Sequence, residues 1–359
     1  MNASSRYNRQ IILPEIREAG QYKLSKAKVL IIGAGGLGVA ILPYLAAAGV
    51  GEIGIIDNDV IELSNLQRQV IYKSSAVGKY KVDEAKAMIT ELNPLVKVNA
   101  IAEKLSGKNA ISLFEKYDII VDATDNLQIK YLINDACLVT NKPMVYGSIF
   151  RFQGQVSVFN YQNGPTYRCL YPDDNSSSAN CADAGVIGIS VGIIGMLQAN
   201  EVIKIILEIG EILTGRILVY TILNNEQQKY DFEKNSSFLM NRNIFEEKYV
   251  SIENTVEEIS AETALNEMDN EEVLFLDVRN ADELPKINFK NGTQIPLMDV
   301  EREIEKLNLN QTIYIFCQSG IRSKMAIELL QKKNFKNIKS ISGGALALNQ
   351  LLNKVYATE

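Results

Sequence analysis

The chain has 359 residues, 47% of them hydrophobic, which is long for one ordinary domain and ample for two buried cores without disulfide or metal staples. A formal charge of -6 argues against a nucleic-acid partner, since that role needs a concentrated excess of Lys and Arg. The chain contains no histidine, which removes Ser-His-Asp triads, Cys-His pairs, H-E-x-x-H zinc sites and histidine general bases, leaving catalysis to Asp, Glu, Lys, Arg, Cys, the backbone or a cofactor.

The first legible element is Val29 to Ile32, an apolar run that reads as a buried strand. It leads into Gly33, Gly35 and Gly38 at the G-x-G-x-x-G spacing, with Gly36 between them, a turn that lets backbone approach a pyrophosphate. Leu37 to Ala48 is rich in Ala and Leu and reads as a helix closed by Gly49. "EIGIID" from Glu52 gives a second strand ending at Asp57, where an acidic side chain can reach ribose hydroxyls; Asp57 and Asp59 also suit a plain turn. NAD and ATP both carry ribose, so at this point both are open.

Val77 to Leu92 reads as a helix stopped by Asn93-Pro94, "VKVNAI" as a strand, and "YDIIVDATD" as a strand with Asp122 and Asp125 at its end. "KPMVYGSI" and "GQVSVFNY" extend the pattern, and the alternation predicts an α/β fold with a mostly parallel sheet and ligands at its strand ends. Gln162 to Ala184 reads as a long flexible connection. A helix from about Val186 to Ile209 follows. It starts apolar, but Gln198, Asn200, Glu201 and Lys204 mark it as a buried helix, and glycines with Pro43 interrupt the other uncharged run, Val29 to Gly51, so no membrane partner is expected. Strands near "RILVYTIL" and "QQKYDFE" close a first domain, 1–235.

Residues 236–250 lose the pattern and read as a linker. A second, smaller α/β domain, 251–359, follows with "VLFLDVR", "TIYIFCQSGIRS", a helix through Leu330, "IKSIS" and a final helix after Gly343-Gly344. Cys317 falls between strand and helix, in a loop expected to run to Ser323, where backbone N–H groups can converge on its sulfur and stabilise a thiolate. The other cysteines, Cys137, Cys169 and Cys181, form no C-x-x-C pair, and no apolar signal core follows Met1, so a reducing cytoplasm is expected. Cys137, in an apolar helical stretch, reads as core.

The choice between nucleotides turns on "RYNRQIIL", "SNLQRQ" and "DATDN". A dehydrogenase has no need of Arg9, Arg68 and Lys81 around its cofactor, whereas a triphosphate needs cations to offset its charge and stabilise departing pyrophosphate. Asp125, at a strand end, suits the Mg2+ that bridges phosphate oxygens.

With "GAGGLG" and "CADAGV" added, residues Arg6 to about Phe232 resemble the ubiquitin-activating-enzyme-like superfamily, close to the ThiF/MoeB/HesA-type sulfur-carrier adenylyltransferases. The resemblance implies a Rossmann-like adenylation domain that uses ATP and Mg2+ to make an acyl adenylate on the C-terminal glycine of a small ubiquitin-like carrier ending in Gly-Gly. It places Gly33, Gly35, Gly36 and Gly38 along the phosphates, Asp57 at the ribose, and Asp59, Asn65 and Asn126 beside the nucleotide. Arg68 and Lys81 contact phosphates, Asp125 holds Mg2+, and Arg9 reaches in from a neighbouring subunit, implying a homodimer.

Cys181 matches the crossover-loop cysteine associated with sulfur transfer or thioester formation; a small buried residue is the alternative. Many relatives hold structural zinc with two C-x-x-C pairs, but Thr166 stands in place of one cysteine, Cys169 is alone and no second pair follows, so no zinc is expected.

"CQSGIRS", "LDVRNADE" with Asp277, Arg279 and Glu283, and "SGGALAL" resemble rhodanese from about Ile252 to Tyr356. Cys317 and Arg322 stand one residue closer than in the C-x5-R loop of phosphatases, and the resemblance implies a cysteine persulfide loaded by a donor such as a cysteine desulfurase. The usual Gly-His pair is missing from "PKINFKNGTQIPL", which leaves a noncatalytic rhodanese fold as the alternative. The expected whole is a nucleotidyltransferase with sulfurtransferase activity yielding AMP, pyrophosphate and thiocarboxylated carrier, in a molybdopterin, thiamin or related route. A NAD-dependent Rossmann oxidoreductase and a noncatalytic module that binds a ubiquitin-like protein are the rivals.

Overall fold

A computed structural model describes residues 3–172, 185–235, 238–251 and 256–356. The chain divides into two units, residues 1–246 and 247–359.

The first unit runs α1 (Ala3–Ile11), α2 (Arg17–Lys26), β1 (Lys28–Ile32), α3 (Gly36–Ala48), β2 (Glu52–Ile56), α4 (Lys81–Leu92), β3 (Lys97–Ile101), α5 (Gly107–Phe114), β4 (Ile119–Asp122), α6 (Leu127–Thr140), β5 (Met144–Phe150), β6 (Gln153–Phe159), α7 (Tyr167–Leu170), α8 (Gly188–Leu207), β7 (Arg216–Thr221), β8 (Glu226–Asp231) and α9 (Arg242–Phe245). Its sheet has the order β3-β2-β1-β4-β5-β6-β7-β8, parallel through β5 and antiparallel after it. β1 is central and buried on both faces, hence its unbroken apolar run.

The register aligns Ile32 with Ile56 on one side and with Asp122 on the other. The loops after β1, β2 and β4 therefore leave the sheet at one level, at the switch point where the strand order reverses. α8 is long and apolar enough to span a membrane by composition alone, yet half of its apolar window is buried, against α3, β5 and β6.

Several elements differ from the expectation. The helix expected from Val77 begins at Lys81, because Gly78 takes φ 91° and Tyr80 bridges to Val60, holding the approach extended. The connection expected from Gln162 to Ala184 is packed in its first half, where Tyr167 and Arg168 are buried and Arg168 forks onto the buried Asp135 at 2.8 Å through both Nε and Nη2. Residues 173–184 lie outside the described set. In the stretch expected as a linker, Asn241 caps α9, Phe245 is fully buried and Arg242 pairs with Glu115 at 2.6 Å, so part of that connection packs within the first unit.

The second unit contains β9 (Glu258–Ile259), α10 (Ala261–Asn266), β10 (Val273–Asp277), β11 (Gly292–Gln294), β12 (Thr312–Phe316), α11 (Ile321–Gln331), β13 (Ile338–Ile341) and α12 (Gly344–Tyr356). Its sheet is parallel throughout, in the order β11-β10-β12-β13-β9. The period-2 alternation of β12 splits the core: Ile313 and Ile315 join Ala326 and Ile327 on one side, while Tyr314 and Phe316 join Ala345 and Leu348 on the other.

Candidate functional site

The glycine turn is built from both sides. Gly33 takes φ 99°, and a Cβ there would lie 2.8 Å from Ala123 O, so only glycine fits. The next peptide is pinned: Ala34 N–H donates to Asp57 Oδ2 at 2.7 Å, and the Tyr72 hydroxyl donates to Ala34 O at 2.8 Å. Burial, with the charges of Asp57 and Glu84, pushes the Tyr72 phenol up and keeps it a donor. Burial likewise raises the Asp57 carboxyl, opposed by Lys81 and by amide donors from Asp59 and Ala34.

Gly35 is the N-cap of α3, opening that helix N-terminus toward the cavity, where an anion is favoured. Gly38, expected along the phosphates, is not among the cavity-lining residues. A Cβ on it would stand 2.2 Å from Gly33 O, so its role is to let helix and turn pack closely.

A cavity of about 660 Å3 lies where β1, β2 and β4 end, a volume suited to a nucleotide. Gly33, Gly35, Gly36, Asp57, Asp59, Asn65, Arg68, Lys81, Asp125 and Asn126 line it, all named from the sequence. The Lys81 side chain is 7% exposed, with Nζ 2.7 Å from Asp59 Oδ2 and its N–H on Asp59 O at 3.0 Å. Arg68 donates one Nη1 bond to Ser64 O at 3.1 Å. Asp125 is exposed and has no hydrogen bond or ion pair among the described residues, which fits a carboxylate free to take a cation. Asn126 accepts Ile129 N–H at 3.1 Å as the α6 cap, and Asn65 accepts Glu62 N–H at 3.1 Å, so both shape the rim. Arg9 sits exposed on α1, outside the cavity lining.

Sequence reasoning missed Tyr72, Gln69 and the brace under Asp125. Lys130 is 4% exposed, with Nζ 2.7 Å from Asp122 Oδ2, 2.8 Å from Thr124 O and 3.0 Å from Gly147 O. Thr124 donates its N–H and hydroxyl to Asp122 Oδ1 at 3.0 and 2.7 Å, so the loop carrying Asp125 is tied to β5. The available signal was a lysine set in the apolar run "IKYLI", where a buried cation needs a carboxylate.

Cys169 accepts N–H bonds at sulfur from Thr166 and Asn235, each at 3.3 Å, which joins two distant stretches. No group of three or more metal-ligating side chains occurs among the described residues. Cys137 is buried core, its thiol pushed well up by burial first and by Asp122 and Asp135 next. Cys181 lies outside the described residues.

In the second unit Cys317 directly follows β12 and is 1% exposed, with Gly320 N–H donating to Sγ at 3.1 Å. The loop is shorter than expected. α11 already starts at Ile321, after Gly320 at φ 97°, and the Ser323 hydroxyl donates back to Gly320 O at 3.0 Å. Gly344 lets α12 approach, since a Cβ there would meet Cys317 O at 2.1 Å.

Arg322 forks onto Glu283 through two 2.6 Å bonds, which raises the Arg322 pKa. Burial pushes the Glu283 carboxyl up, but Arg322 and the Asn280 N–H outweigh it and hold it below the ordinary 4.5. Arg279, 1% exposed, binds Asp277 and reaches Gln318 Oε1 at 3.1 Å, bracing the cysteine loop. The segment lacking Gly-His is docked by its backbone, with Ile295 N–H on Asp277 O at 3.0 Å.

The ThiF family model matches residues 7–239, and the rhodanese-like domain model matches residues 260–350. A probable molybdopterin-synthase adenylyltransferase of Porphyra purpurea is 40% identical over 98% of this chain and 95% of its own length. The adenylyltransferase and sulfurtransferase MOCS3 of Arabidopsis thaliana is 34% identical over 98% and 85%. The probable adenylyltransferase/sulfurtransferase MoeZ of Mycobacterium tuberculosis is 36% identical over 96% and 92%. Among solved structures, E. coli MccB aligns with a TM-score of 0.59 at 24% identity, covering 66% of this chain and 72% of that one, a likeness of fold.

Proposed function

The chain belongs to the ThiF family and carries a rhodanese-like domain, and from that premise we propose that it adenylates the C-terminal glycine of a small ubiquitin-like sulfur carrier and then delivers sulfur to it. The observation that carries this reading is the convergence of the glycine turn, Arg68, Lys81 and the unpartnered Asp125 on one cavity. A carboxylate is already ionised at pH 7, so its attack on the α-phosphorus needs no general base; positioning and charge stabilisation suffice, as a histidine-free protein requires. Pyrophosphate leaves as the acyl adenylate forms.

Lys81 exchanges its ion pair with Asp59 for phosphate oxygens, and Arg68 offsets charge on the leaving group. Asp125 is the carboxylate that would hold Mg2+, and the ion would supply positive charge to offset the phosphates. Arg9 completes the site from a second subunit, so the working form is a homodimer. Nicotinamide chemistry gives these cations nothing to do and is not favoured.

In the second step the terminal sulfur of a Cys317 persulfide attacks the acyl carbon and AMP leaves. Cys181 then attacks the Cys317 sulfur of the acyl disulfide. This releases the thiocarboxylate and leaves a Cys181–Cys317 disulfide for a cellular thiol to reopen. A desulfurase-type partner reloads the persulfide, and free thiols of this kind suit a reducing cytoplasm. The name of the Porphyra relative supports a carrier of the molybdopterin route over one of the thiamin route.

Incubation with ATP, Mg2+ and candidate Gly-Gly carriers, followed by intact-mass analysis, tests both steps through the adenylate and the oxygen-to-sulfur exchange. Asp125→Ala is expected to abolish ATP-pyrophosphate exchange while leaving the circular dichroism of the wild type. Exchange at the wild-type rate removes Asp125 from the mechanism.

A further inference from the structure

We propose that Gln69 is a further triphosphate-binding residue of the adenylation cavity, its side-chain amide nitrogen donating to phosphate oxygens; the proposal rests on the ATP reading above. Gln69 follows Arg68 on a turn fixed at both ends, with Gln69 N–H on Asn65 O at 3.0 Å and Tyr72 N–H on Gln69 O at 3.2 Å. The backbone is thus spoken for, and the side chain is not. Gln69 is 3% exposed and lines the cavity, its Oε1 is buried with no hydrogen-bond partner, and no bond to Nε2 occurs among the described residues. The oxygen is the buried end of this amide, and the NH2 end, with no acceptor among the described residues, is left free to donate.

The position of Nε2 points to the acceptor. A Cβ built on Gly35 would stand 3.8 Å from Gln69 Nε2, so the amide nitrogen borders the N-cap of α3, where the helix terminus favours an anion. Phosphate oxygens only accept, and the NH2 end of a glutamine is the end that donates, so it is the turn-facing Nε2, and not Oε1, that suits an acceptor-rich ligand. The donor is neutral. It adds a hydrogen bond to the polyanion without a second countercharge, beside Lys81, which Asp59 already partners at 2.7 Å.

The test compares binding of a non-hydrolysable ATP analogue with that of adenosine, which shares base and ribose but has no phosphate. Gln69→Leu is expected to weaken the analogue about tenfold or more, the loss for one hydrogen bond to a charged group, and to leave adenosine unchanged. Gln69→Glu, of the same shape, is expected to weaken the analogue further by presenting a carboxylate to phosphate, and it carries the test if the leucine variant unfolds early. Wild-type affinity for the analogue in both variants overturns the proposal, as does an equal loss for adenosine, which would make Gln69 a shaper of the cavity. A wild-type protein that binds no analogue and exchanges no pyrophosphate overturns the adenylation reading itself, a result separable from the first two.

Discussion

Ala34 is held by its N–H on Asp57 and its carbonyl on Tyr72, so the orientation of the glycine turn depends on a phenol 38 residues away. Tyr72→Phe keeps the ring and leaves Ala34 O buried without its donor, a loss of about 1 to 3 kcal/mol. The expected result is a severalfold rise in KM for ATP in pyrophosphate exchange, with carrier affinity unchanged; an unchanged KM would show that the turn holds its shape without the clamp. The same scale governs the acid response of the second unit. The Glu283 carboxyl is held below its ordinary 4.5 mainly by Arg322 against the opposing push of burial, so its contribution to stability is present above that ordinary value and is lost as pH falls through the depressed one. Denaturant titrations between neutral and acid pH should therefore show Glu283→Gln with less stability at neutrality and a flatter acid slope. Parallel curves for variant and wild type would contradict the ion pair's role.

Among the elements, those read correctly from sequence are the ones whose cause is local. β1 and α3 announce themselves by an apolar run, a glycine turn and a closing Gly49 at φ 83°, and β10 and β12 by apolar runs that end at chemistry-bearing residues. α1 and α2 escaped because their sequences are polar, α1 being short and α2 weakly patterned, and β9 because two residues carry no period. The charged and glycine positions of the cavity were legible because their residue types are unusual at strand ends. The supports were not, since Lys130 reads as a helical lysine until Asp122, Thr124 and Gly147 close around it. Lys130→Met would strand a buried carboxylate and is expected to cost about 3 to 5 kcal/mol by chemical denaturation. Adding Asp122→Asn should recover part of that loss, and a double variant no more stable than the single one would mean the carboxylate charge is not what Lys130 serves.

At the scale of the whole molecule, two units with separate sheets and cores each hold one half of the proposed chemistry, the strand-end cavity in the first and the Cys317 loop in the second. Under the proposed reaction a covalent link between them makes the second step intramolecular, and such tethering raises the effective concentration of the sulfur donor. Cys317→Ser is close to isosteric at a buried position, so it should retain pyrophosphate exchange and yield no thiocarboxylate; Asp125→Ala should lose exchange and still accept sulfur at Cys317. Mixed as preformed homodimers that have not exchanged subunits, the two variants can make product only when the adenylate formed on one dimer meets the persulfide of another. Product formation per enzyme by the mixture is expected to fall with dilution, while that of the wild type does not. If the mixture matches the wild type at every dilution, the adenylate is transferred freely between chains, and the joining of the two units must serve something other than proximity.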